Sequence, residues 1–77
     1  MDINQARTFL EVASCGSFIM AAERMHVTQT AVSARIRTLE QQLGRQLFVR
    51  NKAGARLTSA GERFMRHAAT MVQVWER

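Results

Sequence analysis

Residues that begin and end α-helices recur along the chain at short intervals. Asp2, Ser17 and Thr28 are favoured N-cap residues, and each stands directly before an apolar stripe. Gly16 and Gly44 stand where the first and third stripes stop, which is a common place for glycine at a helix end. A chain of 77 residues divided in this way is too short for two domains, so we expect one small domain of short helices.

Three apolar stripes have the 3.6-residue spacing of a helix face. The first stripe lies before Gly16 and contains Ile3, Ala6, Leu10 and Ala13. The second stripe is short, stops at His26-Val27, and contains Phe18, Ala21, Ala22 and Met25. The third stripe is the clearest of the three and contains Val32, Ile36, Leu39 and Leu43. We therefore predict three helices in this part of the chain.

The period changes after Gly44. Leu47–Arg50 and Arg56–Thr58 are short strand-like runs on either side of the stretch 51–55, and this pattern predicts a small β-hairpin. A last helix follows the hairpin, and its N-cap is either Thr58 or Ser59. Ser59 has Glu62 in the capping-box position three residues later.

The last helix carries two apolar stripes side by side. One contains Phe64, Ala68, Met71 and Trp75, and the other contains Met65, Ala69 and Val72. A helix that is apolar on two flanks usually has two neighbours, so we expect one stripe to pack on its own domain and the other on a second subunit. Because no stop signal precedes Arg77, we expect the chain to be a fragment cut within this helix.

The positive charge is concentrated in one segment. The net charge is +5, and residues 35–56 contain six basic residues against Glu40 alone. Ten of the 11 basic residues are arginine, whose planar guanidinium group suits phosphates and guanine edges. Composition alone leaves a solvated basic surface and a nucleic-acid-binding surface equally open.

Two helices joined by a tight turn, the second longer and preceded by an N-cap, are typical of a helix-turn-helix. The face of the third helix opposite its apolar stripe carries small or polar residues: Thr30, Ser33, Ala34, Arg37 and Gln41. Small residues allow a helix backbone to approach a major groove, and the side chains of Gln29 and Arg37 suit adenine and guanine edges. An ordinary solvent-exposed helix shows the same pattern, so both interpretations stay open for this helix taken alone.

The sequence offers no catalytic or metal-binding constellation. Cys15 has no partner cysteine and is expected to be a partly buried thiol, while His26 and His67 are far apart in sequence. The glutamates form no pair at the spacing of a carboxylate dyad, so we predict no enzyme activity, no metal and no cofactor. No apolar run approaches the roughly 20 residues of a membrane span, and residues 1–4 lack a signal pattern, from which we expect a cytoplasmic protein without membrane contact.

Several segments together resemble the N-terminal DNA-binding domain of LysR-type transcriptional regulators. The resemblance covers essentially the whole chain in order and spacing, and it rests on Ser17-Phe18, Ala21-Ala22, Val27–Ser33, Ile36–Glu40, Leu43–Arg50 and Leu57–Glu62. It implies a mostly α winged helix-turn-helix at 1–58, with the helix-turn-helix at about 18–37 and the wing at about 47–58. It further implies that 59–77 begin a linker helix that pairs two subunits, and that a larger domain, absent from this chain, binds a small-molecule effector.

The resemblance also implies roles for particular residues. Thr28, Gln29, Thr30 and Ser33 match the groove-facing start of the recognition helix, and Arg37 matches a recurrent basic position. Arg50 and Lys52 fall in the wing, and the expected dimer interface comprises Phe64, Ala68, Met71, Val72 and Trp75.

This chain departs from the family at four positions. Ala34 stands where an arginine is common, and Arg35, on the neighbouring face of the helix, is the expected substitute for that DNA contact. Thr30 and Ser59 stand where proline is often seen, and Ile19 stands where threonine is usual.

The sequence therefore predicts sequence-specific binding of double-stranded DNA by a dimer or higher homo-oligomer on an interrupted palindrome. Phosphates are assigned to Arg35, Arg37, Arg50 and Lys52, and base edges to Gln29, Thr30, Ser33 and Arg37. Arg63 and Arg66 are expected to be solvated. The alternative is a helical protein-protein interaction module in which the last helix is the functional surface and the basic segment serves solubility.

Overall fold

The computed structural model describes residues 2–76, so the expectations for Met1 and Arg77 lie outside the described residues. The elements are α1 (Ile3–Cys15), α2 (Phe18–Met25), α3 (Gln29–Leu43), β1 (Phe48–Asn51), β2 (Gly54–Leu57) and α4 (Ser59–Trp75). The strands β1 and β2 form an antiparallel hairpin in which Phe48 lies opposite Leu57 and Asn51 lies opposite Gly54. The prediction of a mostly α winged helix-turn-helix is confirmed.

The helices begin at the residues that the sequence indicated. Asp2 and Gln5 form a capping box, with Asp2 Oδ1 accepting from the Gln5 N–H at 2.9 Å. Ser17 and Thr28 cap α2 and α3 in the same way through their hydroxyl oxygens. The side chain that caps α4 is Thr58, whose Oγ1 accepts from the N–H of Gly61 at 3.0 Å, so Ser59 is the first helical residue instead.

An aromatic cluster fills the centre of the core. The Phe9 ring lies 5.3 Å from the Phe48 ring and 5.1 Å from the Phe64 ring, and the Phe18 ring lies 5.7 Å from that of Phe48. These four side chains come from α1, α2, β1 and α4, so the cluster joins the helices to the wing. Burial of each ring contributes roughly 1.5–3 kcal/mol. Because these four rings pack against one another in the core, they are not available to stack on the bases of a single-stranded nucleic acid.

The wing is fixed at both of its ends. The Ala55 N–H donates to the Gly16 carbonyl at 2.9 Å, and a Cβ on Gly54 would lie only 2.3 Å from that carbonyl oxygen. At the other end, Glu40 Oε2 accepts from the N–H groups of Leu47 and Phe48 at 2.7 and 3.4 Å. The hairpin is therefore held against the α1–α2 turn and against α3.

Helix α4 packs along α1 and returns the end of the chain towards its beginning. Arg7 on α1 forms an exposed ion pair with Glu76 at 3.3 Å, beyond the last turn of α4. Exposed pairs of this kind contribute little stability, so the packing of Phe64 and Ala68 into the core holds the helix in place. Within residues 2–76, no helix has the length and apolar character needed to cross a membrane.

Candidate nucleic-acid interface

The turn between α2 and α3 sets the direction of the third helix. His26 takes a left-handed conformation with φ of 57°, and the Val27 N–H donates back to the Ala22 carbonyl at 3.1 Å. Thr28 then starts α3 by accepting from the Ala31 N–H at 3.0 Å. This geometry leaves the first turn of α3 exposed while Val32, Ile36 and Leu39 of its apolar stripe enter the core. Leu43, the last residue of that stripe, is 38% exposed.

One side of α3 carries the residues predicted to read DNA. We call this surface the recognition face, and it comprises Gln29, Thr30, Ser33, Ala34 and Arg37. Ser33 is half-buried and the other four are exposed. Thr28 lies exposed at the end of this face, where its hydroxyl can still donate to a partner because it only accepts within the cap.

Arg50 brings positive charge from the wing to the recognition face. Its guanidinium carbon lies 4.0 Å from the centroid of the Phe18 ring, and its Nη1 donates to Ser33 Oγ at 3.3 Å. A cation over an aromatic face is worth about 0.5–1 kcal/mol where it is exposed. No sequence pattern predicts this contact, because Phe18 was identifiable only as a core residue. Arg50 therefore joins α2, α3 and β1 at one point.

A depression of about 340 Å³ separates α3 from β1. Arg37 and Arg50 line it from opposite sides, together with Ser33 and Gln46. Glu40 also lines it, but one carboxylate oxygen of Glu40 is engaged by the first two N–H groups of the wing. Two guanidinium groups on either side of a polar recess can hold a phosphate.

A second recess, the wing-side depression, lies between the start of α2, the start of α3 and the wing, and has a volume of about 360 Å³. Gln29 lines it from α3, and Arg50 and Lys52 line it from the wing. Ile19 and Met20 line it from α2. Across the part of the chain that the structure describes, no carboxylate side chain contributes to this lining.

The structure places Arg35 on the side of α3 that faces α1, which does not favour the phosphate contact expected of it from the neighbouring face. Arg35 is half-buried, and its Nη1 donates to Oγ1 of the buried Thr8 on α1 at 3.4 Å. Residues two positions apart in a helix differ by about 200° around its axis. Arg35 and Arg37 therefore point to nearly opposite sides of α3.

The expectation for the last helix needs a similar correction. Phe64 is 9% exposed and Ala68 is fully buried, so both pack in the core of this chain and leave little surface for a second subunit. Met71 and Val72 are half-buried, whereas Trp75 is 64% exposed. The apolar surface that remains is the terminal groove, an open recess lined by Asp2, Ile3, Met71, Val74 and Trp75.

Groups that could support other chemistry are not brought together. Within residues 2–76, no three His, Cys, Asp or Glu side chains lie close enough to hold a metal ion. Cys15 is half-buried, and its thiol donates to the Ser17 carbonyl at 3.3 Å, in agreement with the expected structural role.

A helix-turn-helix followed by a hairpin beside the exposed face of its second helix defines a winged helix-turn-helix domain. Residues 3–62 match the family model described as the bacterial regulatory helix-turn-helix protein, lysR family. The chain belongs to this family of bacterial transcriptional regulators.

Similar proteins of known name agree with this assignment. The chain is 49% identical over 76 residues to the HTH-type transcriptional regulator HdfR of Yersinia enterocolitica, covering 99% of this chain and 26% of that protein. It superposes with a TM-score of 0.97 and 34% identity on full-length CbnR complexed with its target DNA, covering 100% of this chain and 27% of CbnR. The CbnR_DBD-DNA complex gives a TM-score of 0.96 at 34% identity, covering 100% of this chain and 88% of that one. The chain thus spans about a quarter of the length of the full-length regulators it matches.

Proposed function

We propose that this chain binds double-stranded DNA sequence-specifically as the DNA-binding part of a LysR-type transcriptional regulator. The observation that carries the proposal is the placement of the small and polar recognition face directly beside the basic wing, with Arg50 in contact with both. The similarity to CbnR, whose structures contain DNA, supports the same function. The role is regulatory rather than enzymatic, and its place is the bacterial cytoplasm, where the DNA lies.

The recognition face reads bases in the major groove. Gln29 lies in the first turn of α3, and its amide can accept from N6 and donate to N7 of adenine. Arg37 lies two turns further along and offers a guanidinium group to guanine or to a phosphate. Thr30, Ser33 and Ala34 are small enough to let the helix backbone approach, and the methyl groups of Thr30 and Ala34 suit a thymine methyl.

The wing holds the phosphate backbone. Lys52 lies exposed in the two-residue turn of the hairpin, and Arg50 lies on the adjoining strand. Contacts of this kind fix the position of a protein on the duplex and carry no base information. Arg35 takes no part in this proposal, because its guanidinium group lies against α1.

Two copies of the chain pair through the terminal groove and the adjoining face of α4. The groove leaves Trp75 and Val74 exposed at 64% and 58%, with Met71 and Val72 half-buried nearby. A two-fold dimer presents two recognition helices to two half-sites of an interrupted palindrome.

A binding selection tests the proposed function. The 77-residue chain is incubated with a pool of randomised duplexes, retained duplexes are amplified, and the enriched site is measured by gel shift against random duplex. We expect the enriched site to contain one half-site repeated with two-fold symmetry. A plot of the logarithm of the binding constant against the logarithm of the salt concentration should have a slope of about −0.9 for each phosphate contacted. Retention of no duplex would refute the proposal and would favour a protein-protein interaction module centred on the terminal groove.

A further inference from the structure

Two large apolar side chains are exposed at the start of α2, on the same side of the molecule as the wing. Ile19 is 56% exposed and Met20 is 45% exposed. Their neighbours Phe18 and Ala21 are buried and supply the core contacts of this helix. Ile19 and Met20 are therefore not needed to fill the core. Two neighbouring exposed apolar side chains are typical of a surface that a binding partner covers.

The surroundings of this pair indicate which partner covers it. Ile19 and Met20 line the wing-side depression together with Gln29, Arg50 and Lys52. The two cations and the lack of acidic lining side chains among residues 2–76 favour a polyanion over an apolar protein surface. Gln29 places the first turn of α3 at the same recess, so a duplex contacted by Gln29 also passes over the apolar pair.

Only one group on the major-groove edge of DNA is apolar and projects outward, the C5-methyl group of thymine. We propose that Ile19 and Met20 contact thymine methyl groups and so act as specificity-determining residues at base pairs adjoining the one read by Gln29. This inference rests on the proposed function and extends it to α2. It assigns base reading to a helix whose usual task in a helix-turn-helix is to cross the backbone.

Uracil substitution in the DNA tests the inference without altering the protein. The site enriched by the 77-residue chain is synthesised as a series of duplexes in which each thymine in turn is replaced by uracil, which removes only the C5-methyl group. Loss of one buried methyl-sized group changes an equilibrium constant about fourfold. We expect a loss of affinity of this size at one or two thymines in each half-site.

Variants then assign the methyl contact to residues. Met20→Gln keeps nearly the same side-chain shape and a good helix former, but replaces apolar surface by a polar amide. Ile19→Gln replaces the branched apolar surface of Ile19 by the same amide at an exposed position. At the thymine that each residue contacts, the variant should bind thymine and uracil duplexes equally well. Leu43→Gln is the matched control, because Leu43 is 38% exposed at the end of α3 and lines neither of the two depressions beside the wing. Circular dichroism melting of each variant verifies folding.

The outcomes separate this inference from the proposed function. If the chain enriches a site but no uracil substitution weakens binding, or if the enriched half-site contains no thymine, the inference is wrong and the proposed function stands. If uracil weakens binding equally in the parent chain and in both glutamine variants, the methyl is contacted by another residue, such as Thr30 or Ala34, and the inference is again overturned. If no duplex is enriched, the proposed function fails and the inference falls with it.

Discussion

Replacing Gly61 by alanine should destabilise the domain, although the same change usually stabilises a helix. Gly61 is buried in the first turn of α4, and a Cβ there would lie 2.3 Å from the Leu47 carbonyl oxygen and 2.8 Å from Leu57 Cδ2. That carbonyl accepts from the Thr58 N–H at 2.9 Å and so ties the start of α4 to the strand that enters the wing. Relief of the clash therefore requires backbone to move at an anchored position.

The magnitude follows from three contributions. Overpacking of a core site costs typically about 1–3 kcal/mol, and weakening the Thr58 hydrogen bond costs about 1 kcal/mol more. The higher helix propensity of alanine stabilises the helix by roughly 0.5–1 kcal/mol and so offsets part of this loss. We expect Gly61→Ala to lower the free energy of unfolding by about 2 kcal/mol, which lowers the Tm by roughly 8–16 °C for a domain of this size.

Thermal and urea unfolding followed by circular dichroism measure this change. Ser59→Ala is the matched control, because Ser59 is exposed in the same first turn of α4 and the capping hydroxyl is that of Thr58. That variant should change the free energy of unfolding by no more than about 0.5 kcal/mol. A Gly61→Ala variant as stable as the parent chain, or more stable, would refute the packing described for α4 and the wing.

Five further substitutions test the DNA-binding residues, the subunit interface and the attachment of the wing. Arg37→Ala should make the salt dependence of DNA binding shallower by about 0.9 or abolish selectivity at one base pair, whereas Arg35→Ala should do neither, as measured by gel shift at several salt concentrations. Trp75→Ala should weaken self-association by about 2 kcal/mol in sedimentation equilibrium, whereas Phe64→Ala should instead lower the stability of the fold by about 3–5 kcal/mol. Glu40→Ala should lower the free energy of unfolding by about 2 kcal/mol, because two N–H groups of the wing lose a charged acceptor, and urea unfolding will measure it.

The elements of this fold were predictable because their signals are local. Asp2, Ser17 and Thr28 cap the helices that they precede, since an N-cap hydrogen bond spans only three residues of sequence. The sequence alone did not decide whether Thr58 or Ser59 caps α4, because both side chains carry a hydroxyl that can accept the capping hydrogen bond. The choice of Thr58 coincides with a second bond, from its hydroxyl to the Gln46 carbonyl at 2.5 Å, which depends on the tertiary fold.

Contacts between distant elements were beyond sequence reasoning. The guanidinium of Arg50 lies on Phe18 only because the folded wing lies beside the start of α2, which no periodicity reveals. The two apolar stripes of α4 were visible, but the sequence did not say which residues the core would cover, and Phe64 and Ala68 were assigned to the wrong neighbour. The groove-facing residues of α3 were predictable because one helix wheel determines them. The contact of Arg35 with Thr8 was not predictable, because it depends on how α1 packs against α3.

The central claim is that α3 reads bases while the wing holds backbone, and the ratio of affinities for the enriched site and random duplex tests it most directly. Gln29→Ala removes an amide from the first turn of α3, so it should cost about 1–3 kcal/mol on the enriched site and little on random duplex, which lowers the ratio. Lys52→Ala removes a charge from the hairpin turn, so it should weaken both duplexes equally and make the salt slope shallower by about 0.9. A ratio preserved in Gln29→Ala but changed in Lys52→Ala would contradict the proposed orientation of the domain on DNA.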